Sequence, residues 1–140
     1  MATDFQRYDD VAIGDIMPPD PIRFEAKAEV VDAFLKATGN DDPRYRDGDA
    51  VRRVPSMLAS FYLIDLLNAR RSPPGGIHAK QAVRFHRSIA IGETLHLQAC
   101  IVEKYTRKER PYVVAEFEAR ADDGALVASG RITSIWGKDA

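Results

Sequence analysis

The fold is decided by the stretch PSMLASFYLIDLLNARRSPPGGIHAKQAVRF, residues 55–85, because the spacing of its apolar residues changes midway. From Pro55 to Leu67 apolar side chains occupy nearly every face of a helix, and proline suits the first turn. After Gly76 apolar and polar side chains alternate, which is the two-residue period of a β-strand. The stretch therefore predicts a helix that is buried on nearly all sides, followed by a strand.

Further alternating segments predict that the C-terminal half of the chain is an antiparallel sheet. Residues 95–101, 113–119 and 126–136 repeat the two-residue period. The dipeptide Asp123-Gly124 between the last two segments is typical of a β-hairpin turn. Together with the strand after Gly76, these segments predict a meander of about four long strands.

The N-terminal part of the chain predicts one more helix and an irregular segment. Apolar residues recur at helical spacing between Phe24 and Thr38, and Gly39 is a natural stop. Residues 1–23 contain Gly14 and three prolines, which exclude a long helix and predict irregular structure.

These elements predict an α+β fold in a single domain over residues 1–140. One helix and one antiparallel sheet bury both apolar surfaces if the sheet curls around the helix, as in the hot-dog architecture. The edges of such a half-wrapped sheet stay open, and pairing with a second copy or a relative covers them. We therefore expect a single hot-dog fold, with a long central helix, that forms a dimer.

The composition excludes several function classes. The chain carries 20 basic and 21 acidic side chains and a net charge of −1, which predicts no nucleic-acid binding. The sequence has neither a run of about 18 apolar residues nor the pattern of a signal peptide, so a cytoplasmic protein without membrane association is expected. Cys100 is the lone cysteine and the three histidines lack ligand spacing, so no metal and no cofactor are expected.

Two segments of the chain carry a family resemblance. A polar loop with the sequence ATGNDDPRYRD occupies residues 37–47, and a second block runs from GIHAKQ at residue 76 through FHR to IGETL at residues 91–95. The loop resembles the hydratase loop of MaoC-like dehydratases and (R)-specific enoyl-CoA hydratases, whose usual pattern is Gly-Asp-x-Asn-Pro-x-His-x-Asp. The second block is similar to the strand of that family that ends in an aromatic-His-Arg triplet. Together the two blocks extend the resemblance over most of the chain.

The resemblance implies a hot-dog protein that hydrates an enoyl thioester or dehydrates a 3-hydroxyacyl thioester, carried by CoA or by an acyl-carrier protein. This chemistry needs a carboxylate and an imidazole beside C2 and C3 of the substrate. The chain has Asn40 at the position of the family's Asp and Tyr45 at that of its His, whereas Pro43 and Asp47 are kept. It therefore resembles the N-terminal, non-catalytic hot dog of double or heterodimeric members. We expect a homodimer, or a heterodimer with a catalytic MaoC-like subunit.

The candidate catalytic residues in this loop are Asn40, Asp42 and Tyr45. An amide is no base, and a phenol with a pKa near 10 is a poor one at neutral pH. Asp41 or Asp42 replaces the base if the loop register is shifted, and otherwise shapes an Asx-type turn before Pro43. Tyr45 either donates a hydrogen bond to the substrate or packs on the sheet.

The predicted central helix carries two kinds of candidate. In the family, backbone N–H groups at the start of this helix polarise the thioester carbonyl, which the resemblance assigns to Ser56 and Met57. Asp65 is the one charge inside the apolar helix, and some hot-dog thioesterases carry a catalytic carboxylate there. An acyl-CoA thioesterase that uses Asp65 is therefore one alternative function, and a non-enzymatic scaffold that binds acyl thioesters is another.

The strand after this helix carries the remaining candidates for substrate binding. His78 and His86 have even spacing and are predicted to share one face of the strand. Arg84 and Arg87 are candidates for contact with a coenzyme phosphate, because a guanidinium suits forked binding of phosphate. All four are otherwise explained as exposed or interface side chains.

Overall fold

The computed structural model describes residues 5–46 and 51–137, and it contains one five-stranded antiparallel sheet with two α-helices in these residues. The elements are β1 (Ile16–Glu25), α1 (Ala28–Thr38), α2 (Ala59–Ala69), β2 (Ile77–Phe85), β3 (Thr94–Arg107), β4 (Arg110–Ala121) and β5 (Leu126–Ile135), with short 3-10 turns at Tyr8–Asp10, Pro43–Tyr45 and Ser56–Leu58. The strand order is β1-β3-β4-β5-β2. The predicted α+β class is confirmed.

The core lies between the helices and one face of the sheet, which we call the inner face. Alternate residues of β3 and β4, such as Leu97 and Phe117, are buried on this face. They join Leu63 and Leu66 of α2 and Leu35 of α1 in one apolar cluster. Burial of this apolar surface is the main term that stabilises the fold.

The prediction of irregular structure for residues 1–23 is wrong, because residues 16–25 form the edge strand β1. Proline lacks an N–H donor and is tolerated at a sheet edge or a bulge. The register with β3 shifts between Met17 and Ile22, which is the part of β1 that contains the three prolines. There the Gln98 amide donates to the carbonyl oxygens of Pro18 and Pro19, each at 2.9 Å.

The predicted meander is confirmed for β3, β4 and β5, but β2 lies at the far edge of the sheet, beside β5. The turn predicted at Asp123-Gly124 is confirmed, and Gly124 takes a φ of 84°, which favours glycine. Residues 86–93 carry the chain from β2 back to β3 and form a bridge between Ala90 and Arg53. The two-residue period identifies each strand, but it does not say which strand becomes its neighbour.

The prediction of a long helix buried on nearly all sides is wrong in both respects. The helix α2 has 11 residues, which is about 16 Å, and the 3-10 turn Ser56–Leu58 precedes it. Tyr62 and Leu66 are buried, whereas Met57 and Ile64 are 62% and 53% exposed. One side of this helix and of the turn before it therefore remains exposed in the single chain, and it includes large apolar residues.

Candidate functional site

A small cavity lies where the chain begins α2, and we call it the helix-start pocket. Its volume is about 20 Å³. Its polar walls are Ser56, Tyr62, Arg87 and Ser88, and its apolar walls are Val54, Pro55, Leu58, Phe85, Ile89 and Val127. A cavity of this size holds about one water-sized oxygen atom.

Two backbone hydrogen bonds fix the wall of this pocket. The Val54 N–H donates to the Ile89 carbonyl and the Ile91 N–H donates to the Arg52 carbonyl, both at 2.9 Å. Directly after them the 3-10 turn begins, and its first N–H groups, those of Ser56 and Met57, have no acceptor within the helix. Backbone donors without an acceptor in the helix therefore lie in the turn that leads into α2.

Tyr62 is a polar residue of the pocket wall that was not among the candidates predicted from the sequence. Its ring packs against Phe24 with 5.5 Å between centroids, and the residue is only 3% exposed. Burial raises the pKa of its hydroxyl to about 12. In the described part of the chain this hydroxyl has no hydrogen-bond partner. A polar atom on the buried face of an otherwise apolar helix is the signal that could have found it.

Arg87 is held at the pocket wall by Glu93. The guanidinium contacts the carboxylate through two nitrogens, at 2.9 Å and 3.2 Å, and also donates to the Ser88 carbonyl at 3.0 Å. The hydrogen bond from Arg87 lowers the pKa of Glu93, and the Ala90 N–H also donates to this carboxylate at 2.7 Å. Arg87 is therefore a charged side chain in the pocket wall, and the Glu93 carboxylate balances most of its charge.

The polar loop after α1 forms its own hydrogen-bond network. Gly39 ends α1 with a φ of 65°, and the Asn40 side-chain oxygen accepts from the Asp42 N–H at 3.0 Å. Asp42 accepts from the Arg44 N–H at 3.0 Å and from the Arg44 guanidinium at 2.6 Å. The Arg44 side chain is the main cause of the lowered pKa of Asp42. Asp42 therefore forms the turn described above as an alternative, and its carboxylate is a weaker base than usual.

Tyr45 packs against the core as a partly buried residue, with the Arg44 guanidinium 5.5 Å from its ring centre. Arg52 donates to the Tyr45 carbonyl and also pairs with Asp32 of α1. These contacts tie the loop to α1 and to the chain segment that leads into the helix-start pocket. Tyr45 is not one of the residues that line this pocket. Asp47, which the resemblance keeps from the family pattern, lies outside the described residues.

The candidate substrate-binding residues are not brought together. Ser56 and Arg87 line the helix-start pocket. Arg84 and His86 line a groove of about 690 Å³ on the outer face of the sheet, where His86 Nε2 lies 2.8 Å from Ser129 Oγ. Met57 is exposed in the 3-10 turn that precedes α2. The candidate residues at the end of β2 and directly after it therefore lie on two different faces of the sheet.

His78 and His86 lie on opposite faces of the sheet, so the prediction that they share a face is wrong. His78 pairs with Ser134, whose hydroxyl accepts from the buried Arg70 at the end of α2, and it therefore faces inwards. The register shifts between His78 and Lys80, and one extra residue at such a bulge reverses the alternation. His78 lines a separate cavity of about 210 Å³ near the other end of β2.

Asp65 lies on the exposed side of α2, next to the exposed Ile64 and close to Asn68. The sequence left open whether this charge is buried in the helix or reaches the surface, and the structure places it at the surface. An exposed carboxylate does not provide the sheltered site that the alternative function needs.

Two further findings apply to residues 5–46 and 51–137. No helix in them is long and apolar enough to cross a membrane. No group of three or more His, Cys, Asp or Glu side chains in them could hold a metal ion.

No protein-family model and no curated protein matches this sequence. Solved structures, in contrast, match its fold. The R-hydratase PhaJ1 from Pseudomonas aeruginosa is 16% identical, with a TM-score of 0.80, over 94% of this chain and 86% of that chain. The HadBC complex, a 3R-hydroxyacyl-ACP dehydratase from Mycobacterium tuberculosis, is 22% identical, with a TM-score of 0.75, over 91% of this chain and 98% of that chain.

A MaoC-like dehydratase from Rhodospirillum rubrum is 17% identical, with a TM-score of 0.71, over 94% of this chain and 97% of that chain. These three proteins and this chain have the same fold at low sequence identity. The resemblance to MaoC-like dehydratases is therefore confirmed at the level of the hot-dog fold.

Proposed function

We propose that this chain is a hot-dog subunit for the hydration of enoyl thioesters or the dehydration of 3-hydroxyacyl thioesters. In this proposal the chain binds the acyl thioester, carried by CoA or an acyl-carrier protein, and a second hot-dog chain supplies the carboxylate and the imidazole. The observation that carries the proposal is the helix-start pocket, which combines unused backbone donors with space for one oxygen atom.

The reaction class is supported by the structural neighbours and by the chemistry of the pocket. The neighbours include an R-hydratase, a 3R-hydroxyacyl-ACP dehydratase and a MaoC-like dehydratase. Such reactions develop negative charge on the thioester carbonyl oxygen, which preorganised N–H donors stabilise. The N–H groups of Ser56 and Met57, in the 3-10 turn that leads into α2, are suited to this role.

The role as a subunit is supported by what surrounds the pocket. The three histidines of the chain lie elsewhere: His78 near the other end of β2, His86 on the outer face, and His96 beside an aspartate at 2.7 Å. Asn40 has an amide in place of a carboxylate, and Asp42 is engaged in an ion pair. General acid–base catalysis needs groups within reach of the substrate, and a partner chain is their proposed source.

Strand β2 supports association with a second hot-dog chain. It is an edge strand, and its residues are exposed on both faces except for the half-buried Val83. Ile77 and Phe85 at its two ends, and Ile64 on α2, are large apolar residues that remain exposed. Open strand edges and exposed apolar residues are features of interaction surfaces. One structural neighbour, the HadBC dehydratase, is itself a complex.

The test compares the chain alone with the chain co-expressed with a MaoC-like relative whose Asp and His are intact. We expect the isolated chain to be near background with crotonyl-CoA, measured as loss of enoyl absorbance, and the pair to be active. The relative alone and the pair carrying an alanine in place of the relative's histidine are the controls. High activity of the isolated chain would contradict the subunit role, and a chain that joins no hot-dog partner and binds no acyl thioester would contradict the whole proposal.

A further inference from the structure

The cavity that His78 lines is located at the C-terminal end of α2, and we call it the helix-end cavity. It has a volume of about 210 Å³, and its walls include Arg70, Ser134 and Trp136. Three side-chain nitrogens of these walls are buried without a hydrogen-bond partner among the described residues: Arg70 Nε, Arg70 Nη1 and Trp136 Nε1. No other fully buried side-chain nitrogen or oxygen in residues 5–46 and 51–137 lacks a partner. The buried donors that have no acceptor are therefore concentrated at one cavity.

The guanidinium of Arg70 lies in the wall of the helix-end cavity. The residue is 5% exposed, and its Nη2 donates to the Ser134 hydroxyl at 3.1 Å. The central carbon of the guanidinium is 5.7 Å from the centre of the Trp136 ring. Because both of these contacts are with cavity walls, they hold the charged end of the side chain, and not only its stem, at the cavity.

This guanidinium has no counter-ion in the described part of the chain. None of the residues that line the helix-end cavity is Asp or Glu, and the contacts of Arg70 are with a neutral hydroxyl and a neutral indole. Burial lowers the pKa of Arg70 to about 10, so the side chain is still cationic at neutral pH. A buried charge without a paired partner is costly. An anion in the cavity removes this cost.

The walls of the helix-end cavity favour a small monocarboxylate. Its unused polar atoms are N–H donors, and a carboxylate accepts forked hydrogen bonds from a guanidinium. Arg70 is the only lysine or arginine in the walls, so it balances a monoanion, whereas a phosphate dianion keeps one negative charge unpaired. The volume equals that of about seven water molecules, which admits a short organic acid but not a coenzyme. Apolar walls such as Leu67 and Pro73 suit its alkyl part.

We propose that the helix-end cavity binds a small monocarboxylate whose carboxylate pairs with the guanidinium of Arg70. The chain covers the unpartnered nitrogens in the structure, so in this proposal the Arg70 side chain turns them towards the incoming anion. The site lies at the opposite end of α2 from the helix-start pocket, about 16 Å away along the helix. The inference therefore goes beyond the reaction proposed above and does not depend on it.

The experiment uses the fluorescence of Trp136, because it is the single tryptophan of the chain and lies in the cavity wall. The full chain is titrated at neutral pH with sodium propionate up to about 20 mM, and NaCl keeps the ionic strength constant. Propionamide, which has a similar shape but no charge, and inorganic phosphate are the comparison ligands. We expect propionate to change the fluorescence saturably and to raise Tm, and both comparison ligands to bind at least about tenfold more weakly.

The variant Arg70→Met removes the guanidinium and keeps an apolar side chain in its place. Loss of charge-assisted hydrogen bonds should weaken propionate binding by about tenfold to a hundredfold. The matched control is Arg107→Met at the exposed end of β3, which should bind propionate as wild type does. If Arg70→Met does not fold, Arg70→Lys keeps the charge but loses the forked contact, and it should weaken binding by about fivefold or more.

Three results would overturn the proposal. One is a wild-type chain that responds to propionate and propionamide alike, or to neither. Another is tighter binding of phosphate than of propionate, which would indicate a site for inorganic anions. The third is an Arg70→Met chain that binds propionate as tightly as wild type. Because none of these measurements uses a thioester, their failure is distinguishable from failure of the proposed function.

Discussion

The loop at residues 40–46 and the helix-start pocket differ in whether their polar groups have hydrogen-bond partners. In the loop, Asp42 pairs with Arg44, and Asn40 accepts from the Asp42 N–H although all of them lie at or near the surface. In the pocket, Tyr62 is far more buried, yet its hydroxyl has no partner among the described residues. The polar groups of the loop are thus used within the loop, whereas the backbone donors at Ser56 and Met57 have no acceptor within the helix. The pocket, rather than the loop, is therefore where a ligand would gain a hydrogen bond.

The largest expected effect comes from restoring the chemistry of the loop. Asn40→Asp together with Tyr45→His puts a carboxylate and an imidazole at the positions of the family's dyad. Asp at position 40 can still accept from the Asp42 N–H, so the turn should survive. General acid–base groups contribute about a hundred to ten thousandfold in rate. We expect the isolated double mutant to hydrate crotonyl-CoA at least about a hundredfold faster than wild type, measured as loss of enoyl absorbance.

Each single substitution is the control for this experiment and should give far less, because the two groups act as a unit. Thermal unfolding of all variants is needed, since Tyr45 is partly buried against the core. A folded double mutant that binds crotonyl-CoA without turning it over would show that the loop does not face the acyl group. The likeness to MaoC-like dehydratases would then be limited to the fold.

A smaller effect compares the two carboxylate–arginine pairs, Glu93–Arg87 at the pocket and Asp42–Arg44 in the loop. Hydrogen bonds from arginine lower the pKa of both carboxyls. A carboxyl whose pKa is lowered by folding stabilises the protein above its unfolded pKa and loses this contribution as the pH falls through the folded one. We expect Glu93→Gln to lower Tm at neutral pH by about 2–4 °C and to reduce the loss of Tm below about pH 4.5.

Asp42→Asn is the matched substitution in the loop and should change Tm by about 1 °C or less. Its partner is two residues away on the surface, whereas Glu93 also accepts from the Ala90 N–H in the segment that fixes the pocket wall. Thermal unfolding of the three proteins between about pH 3 and pH 7 provides the measurement. Equal curves for the two variants would mean that the pocket wall does not depend on Glu93.

The sequence predicts the elements of this fold better than their arrangement. The strands around the Asp123-Gly124 turn and the helix that ends at Gly39 follow from local period and turn chemistry. The edge strand β1 is missed because an edge tolerates prolines that a central strand would not. His78 faces inwards because β2 contains a bulge, and the spacing of residues in the sequence does not reveal that bulge.

The candidate site is predictable only in part, for a related physical reason. Ser56 is found at the pocket because the start of the predicted helix determines where unused backbone donors lie. Tyr62 is missed because it is one more aromatic residue in an apolar helix, and only the tertiary structure places it beside Phe24 in the pocket wall. Which side chains line a pocket is a property of the tertiary structure.

The smallest expected effect concerns the two faces of α2, where Asp65 is exposed and Tyr62 is buried. A carboxylate that hydrolyses a thioester must lie against the substrate in a site that excludes bulk water, and the exposed face does not provide one. We expect Asp65→Asn to change the free energy of unfolding by no more than about 0.5 kcal/mol. It should also leave thiol release from acyl-CoA at the wild-type level. The contrary outcome is a wild-type chain that releases thiol and an Asp65→Asn variant that does not. That result would assign the chemistry to the exposed face of α2 and favour a thioesterase, because removal of one surface charge should otherwise leave the activity unchanged.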